Sequence, residues 1–265
     1  MSRMPLAYIP HGGGPWPFVE LGLPRREVEE LATYLRELRA FPKTEPKSVL
    51  VVSAHWETPK LSVMTGKKPP LYFDYYGFPP ESYELSWPAP GAPELAARTR
   101  ALLRGAGWEV EDDPDRGYDH GLFIPLMLTY PEAHLPTTQL SLRKGLDPEE
   151  HLAIGRALAP LRDEGVFIIG SGMSYHNMRA FADPHAGQDG EIFDAWLQKI
   201  AIAPQRERDE ALKNWTEAPS ARAVHPREEH LLPLMVVAGA AGEDRGKGAW
   251  TGTYMGKRIS AFHYG

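Results

Sequence analysis

Apolar positions along the chain fall into two rhythms. Leu6–Pro10 and Ser48–Ala54 (SVLVVSA) are short, nearly continuous apolar runs rich in branched residues, the mark of strands buried on both faces. Between them, Arg25–Phe41 places Val28, Leu31, Leu35 and Leu38 in a charged background, the spacing of an amphipathic helix. The three pieces read as a βαβ unit. Further strands are predicted at Leu61–Thr65, Thr137–Leu142 and Val166–Gly170, and helices at Pro93–Gly105, Pro148–Arg162 and Glu191–Ile202. The apolar stretch after His230 predicts a buried helix beginning near that residue, because Pro233 is tolerated only in a first helical turn. Near the end, Ala249–Met255 and Arg258–His263 read as a hairpin turning at Gly256-Lys257. The expectation is a single α/β domain over residues 1–265, with a mixed, mostly parallel central sheet covered by helices on both faces. Leu71–Leu85 (LYFDYYGFPPESYEL) follows neither rhythm, and a loop that long is expected to be a functional wall or lid.

Composition removes several function classes. The formal charge of −6 is spread without long runs of one sign, which argues against nucleic acid as a partner. No apolar stretch is long enough for a membrane span, and the start of the chain lacks the apolar core of a secretory signal, so the expected location is the cytoplasm. The absence of cysteine excludes disulfides, thiolate metal sites and a cysteine nucleophile. A metal would have to sit on His, Asp or Glu.

The histidines therefore matter by position. His11 follows the first strand in IPHGGGP and His55 follows the second in VVSAHWE. Parallel strands joined by a helix place their carboxyl ends on one side of the sheet, where open α/β folds bind ligands, so the two imidazoles are expected to meet. The strand at Val166–Gly170 delivers His176 after a short loop, and His230 stands at the entrance of the buried helix, with His225, Glu228 and Glu229 as competitors. His120 lies in YDHG, with Asp119 as a possible helix cap. His134, His151, His185 and His263 are read as surface or packing residues.

Taken together, HGGGP at His11, SAHWE at His55, FDYYGFP at Phe73–Pro79, YDHG at Tyr118–Gly121, GSGMSYHN at Gly170–Asn177 and EEHLLPL at Glu228–Leu234 resemble the class III (LigB-type) extradiol ring-cleavage dioxygenases, in particular the DOPA 4,5-dioxygenase branch. The resemblance implies a LigB-like fold and a non-haem Fe(II) centre that opens a catechol ring beside its two hydroxyls. It implies His11 and His55 as metal ligands, with the third place taken by a glutamate in protocatechuate-type members and by the histidine of EHxxPL in the DOPA branch, here His230. It further implies His176 as acid/base and His120 as a pocket histidine touching oxygen or a substrate hydroxyl. Zn(II) is an alternative occupant of the isolated protein, catechol and O₂ are the expected small-molecule partners, and the oligomeric state is left open. Phe73, Tyr75, Tyr76 and Phe78 are candidates to cover the substrate ring. Two other classes compete: a zinc hydrolase using the same histidines with Glu57 or Glu229 as base, and a non-enzymatic interaction protein of the Memo type.

Overall fold

The apolar runs become interior strands because both of their faces are covered. In the computed structural model, which describes residues 3–181, 183 and 186–265, the elements in chain order are β1 (Leu6–Pro10), α1 (Arg25–Glu37), β2 (Ser48–Thr58), β3 (Leu61–Met64), α2 (Pro93–Gly105), β4 (Val110–Asp113), α3 (His120–Thr129) and β5 (Thr137–Arg143). They continue with α4 (Pro148–Leu158), β6 (Val166–Gly172), α5 (Ala186–Ala201), α6 (Gln205–Lys213), α7 (Ala221–Val224), α8 (Leu232–Ala241), β7 (Gly246–Tyr254) and β8 (Lys257–Tyr264). One sheet takes all eight strands in the order β4-β3-β5-β2-β6-β1-β8-β7. Its middle, β5-β2-β6-β1, is parallel, and antiparallel pairings with β3 and β8 lie on either side.

The predicted βαβ unit is present but skips a strand. β6 sits between β1 and β2 and pairs with both, Leu6 with Ile168 and Val49 with Phe167. The carboxyl ends of three parallel strands are thereby neighbours, with β6 in the middle.

Alternation along β6 separates the helical layers. Gly170 and Gly172 abut the carbonyls of Pro233 and His230 on the α8 side, while Ser171 between them points the opposite way and donates to the Gly121 carbonyl of α3 (2.5 Å). A Cβ on Gly172 would collide with the His230 carbonyl, so glycine is what lets this backbone come so close. α4 packs along α8 on one face, and α1 beside α3 on the other. α8 is apolar all round because every one of its residues is buried.

Several boundaries differ from expectation. β2 runs on through His55 to Thr58, with an irregularity against β5 between Val52 and Glu57. α1 and α4 stop at Glu37 and Leu158 and finish in 3₁₀ turns, and α5 begins at Ala186, five residues early. α8 starts at Leu232, two residues after His230 and with Pro233 in its first turn, as the sequence predicts. Tyr254 pairs with Lys257, so the hairpin turns at Met255-Gly256, one residue before the predicted place. Both turn residues have positive φ, 51° and 72°, matching the twist that two-residue hairpins favour. Among the described residues no helix is long and apolar enough to cross a membrane.

Candidate metal centre and its cavity

Five imidazoles converge where β1, β2 and β6 end. His11 directly follows β1, its backbone N–H donating to the Gly172 carbonyl. His55 lies on the continuation of β2, and His120 opens α3, whose first turn is capped by the Asp119 side chain accepting from Leu122 N–H. His176 follows β6, its N–H donating to the Val224 carbonyl. His230 sits in the turn before α8, its carbonyl fixed by the Tyr8 hydroxyl (2.9 Å) and by Met173 N–H (3.1 Å).

The Nε2 atom of His55 lies 3.0 Å from that of His11 and 3.3 Å from that of His230. Hydrogen bonds behind the rings assign the tautomers of His11 and His230. Ser171 Oγ spends its proton on the Gly121 carbonyl and so accepts from His11 Nδ1 (3.0 Å). His230 Nδ1 donates to Glu229 Oε1 (3.0 Å), and His55 Nδ1 faces Asp74 Oδ2 at 3.5 Å. The Nε2 atoms of His11 and His230 therefore turn lone pairs toward His55 Nε2, a cluster of nitrogen donors suited to a cation. Imidazole nitrogens sharing one ion at bond lengths of about 2.1 Å stand roughly 3.0–3.4 Å apart when the bonds meet between a right and a tetrahedral angle. The two spacings from His55 Nε2 fall in that range, and neutral imidazoles suit divalent iron or zinc.

Electrostatics agree with neutral ligands. Burial, reinforced by the neighbouring histidines, holds His11 and His55 well below the usual histidine pKa, and His230 is lowered to about 3, again mainly by burial. Glu229 works against its own burial: hydrogen bonds from His176 and His230 bring it far below the usual carboxylate range. Its Oε1 accepts from His176 Nδ1 and His230 Nδ1, both at 3.0 Å, and those two rings stack with centroids 3.4 Å apart. Asp74 plays the matching part across the site. Against its own burial, hydrogen bonds with His120 lower its pKa, and Oδ1 accepts from the backbone N–H of His120 (2.9 Å) and from its Nδ1 (2.8 Å).

These two carboxylates were not singled out as ring-orienting groups by sequence. Asp74 lies in the aromatic loop FDYYGFP, where neither a strand end nor a helix period marks its direction. Glu229 was weighed only as a ligand or base, since its bridging position depends on where the chain enters α8.

The remaining predicted residues are distributed as follows. A cavity of about 760 Å³ opens over the imidazoles, and Tyr75, Tyr76 and Phe78 line it as expected. Phe73 does not. Asp74 takes the direction toward the site, and the adjacent Phe73 ring packs away from it on Phe123 of α3, centroids 5.8 Å apart. Gly12 and Gly14 border the cavity in backbone conformations of positive φ. His225 is buried away from the ion site, donating from Nε2 to the Ser174 carbonyl (3.0 Å), and Glu228 pairs with Arg222. His134 pairs with Glu45, and His151 and His263 are buried packing residues. His185 lies outside the described residues.

Fold and site thus define an α/β protein with a histidine-rich, metal-ready centre at the carboxyl ends of parallel strands. The chain belongs to the family of the catalytic LigB subunit of aromatic ring-opening dioxygenase, whose model matches residues 6–262. It is 40% identical to a Beta vulgaris protein named 4,5-DOPA dioxygenase extradiol, over 86% of this chain and 87% of that one. An Escherichia coli (strain K12) protein of the same name is 33% identical over 90% and 86%, and a Hapsidospora irregularis protein named a dioxygenase is 36% identical over 100% and 86%. The crystal structure of an uncharacterized Escherichia coli K12 protein superposes with a TM-score of 0.77 at 29% identity, covering 99% of this chain and all of that one. The protein is accordingly an oxidoreductase of the extradiol dioxygenase class.

Proposed function

We propose that the protein uses Fe(II), held by His11, His55 and His230, to open the ring of a catechol-type substrate with both atoms of O₂, giving a muconic semialdehyde. The observation that carries this reading is the meeting of the Nε2 atoms of His11, His55 and His230, with the His11 and His230 rings oriented from behind by Ser171 and Glu229 and with Asp74 facing His55 Nδ1. When bound, the iron supplies the electron relay that a closed-shell catechol and O₂ lack between them, and Zn(II), being redox-inert, does not.

The proton work falls to the chain's own residues. In its neutral form His176 donates from Nδ1 to Glu229, which leaves Nε2 as a base toward the cavity for the proton that a catechol hydroxyl gives up. Glu229 then steadies the imidazolium until the proton is returned, as a buried carboxylate does behind a catalytic histidine. His120, held by Asp74 through Nδ1, offers Nε2 to accept a hydrogen bond from a substrate hydroxyl. Tyr75 and Phe78 shield the site from water.

A hydrolase would need a carboxylate free to act as base. Glu57 is held by Arg227 through both oxygens, 2.5 Å each, and Glu229 is engaged by two imidazoles, which speaks against that alternative. The test is to load the protein anaerobically with Fe(II), admit air and a panel of catechols, and follow oxygen uptake with the yellow absorbance of a semialdehyde. Uptake with iron and none with Zn(II) is expected, and an iron-loaded protein that consumes no oxygen with any catechol would overturn the proposal.

A further inference from the structure

We infer that the substrate carries an apolar, uncharged substituent on its catechol ring, and that catechols bearing a side-chain carboxylate are discriminated against. This rests on the dioxygenase reading above. The cavity, at about 760 Å³, falls in the range of sites that enclose drug-sized ligands, far larger than a single ring needs. Beyond the imidazoles its wall is built of Leu21, Leu23, Phe78, Met178, Phe181 and Met255.

Among the described residues, the carboxylate or basic side chains other than histidine that reach this wall are Glu57 and Glu229. Both are carboxylates. Arg227 stands outside the wall with its guanidinium committed to both oxygens of Glu57 and 3.4 Å from Glu229 Oε2, and the exposed Arg179 beside Met178 is not part of the wall either. Among the described residues no Lys or Arg belongs to this wall, so a substrate carboxylate pointing outward from the ring would give up water against Leu, Met and Phe side chains, with the Glu229 carboxylate nearby. An alkyl or aryl substituent instead buries apolar surface on the same side chains. The wall also explains why exposed apolar side chains gather here: Met178 and Tyr76 are 68% and 91% exposed and belong to its rim.

The experiment compares 4-butylcatechol with 3-(3,4-dihydroxyphenyl)propanoate, which are similar in length and differ in the terminal group. Binding is measured calorimetrically on the Zn(II)-loaded protein, and kcat/KM on the Fe(II)-loaded protein. The butyl compound is expected to bind at least about tenfold more tightly and to be favoured in kcat/KM by about 10²-fold, the discrimination an apolar pocket can provide. Met178→Arg, which places a guanidinium on the rim of the wall, is expected to improve kcat/KM for the propanoate about tenfold relative to that for 4-butylcatechol. Equal or better handling of the propanoate by the natural protein would overturn the inference. So would a Met178→Arg variant with no effect on it, or a loss of propanoate affinity in Arg227→Gln or Arg179→Gln, which would reveal a cationic partner. Failure of the dioxygenase reading looks different, because then no catechol of either kind is cleaved.

Discussion

At the scale of single residues, neighbouring side chains of the site are expected to fail in different ways when replaced. His230→Ala removes one of the three proposed ligands from a chain without cysteine to replace it, and iron affinity is expected to fall by more than about 100-fold, the upper end of what losing a ring-orienting partner costs. His176→Ala is expected to keep its iron and slow turnover by about 10²–10⁴-fold, losing the imidazole limb of the pH–rate profile. Metal analysis beside steady-state kinetics separates the two, and an empty site in His176→Ala with a filled one in His230→Ala would reverse the assignment. Glu229→Gln tests the shared carboxylate: a weakening of both iron affinity and turnover, by about 10- to 100-fold, is expected because Oε1 serves both rings. An effect on one alone would show that the two hydrogen bonds are not coupled. His11, His55, His120, His176 and His230 were legible in the sequence because strand ends and short motifs fix where they emerge. Asp74 and Glu229 were not legible in these roles, since a carboxylate becomes a ring-orienting group only through contacts between segments far apart in the chain.

At the scale of elements, the approach of β6 to the segment leading into α8 sets the position of His230. Gly172→Ala would drive a methyl group into the His230 carbonyl, which Tyr8 and Met173 also hold. Such overpacking is expected to cost about 1–3 kcal/mol of stability and to weaken metal binding at the same time. Denaturant unfolding and metal titration of the variant check it, and an unaltered protein would mean that the close approach is dispensable. Strands buried on both faces and the amphipathic α1 were readable from apolar rhythm alone. β4, with the sequence VEDD, carries no such rhythm because it is an edge strand held by pairing with β3. α3 is signalled in the sequence only by Asp119 as a possible cap: nearly all of the helix is buried, so no polar face marks its period. The insertion of β6 between β1 and β2 was equally hidden, since strand order is decided by packing and not by local preference.

At the scale of the whole molecule, buried neutral histidines tie stability to pH. Burial lowers His263 to about 3 and His151 to about 4, well under the value of about 6.5 that the unfolded chain has. Above pH 6.5 both states are neutral and the contribution is complete; as pH falls from 6.5 toward 3–4 the unfolded chain binds protons the fold excludes, and stability is lost. His263 accepts or donates at Nε2 with the Tyr34 hydroxyl (2.9 Å) and stacks on Phe41. In chelator-treated protein, denaturant unfolding is therefore expected to show stability declining below pH 6.5, with about one proton less in the slope for His263→Phe. A slope identical in the variant would remove His263 from the account.

The eight-stranded sheet gathers these parts so that three strand ends and two helix entrances bring their imidazoles together. The central claim is that this point performs extradiol ring opening. The most direct measurement is the structure of the product formed by the Fe(II)-loaded protein from 4-butylcatechol in air, by mass spectrometry and proton NMR. The account predicts a product heavier than the substrate by the two atoms of O₂, with one aldehyde and one carboxylate. A dicarboxylate of the same mass, a quinone, or unchanged catechol would contradict it.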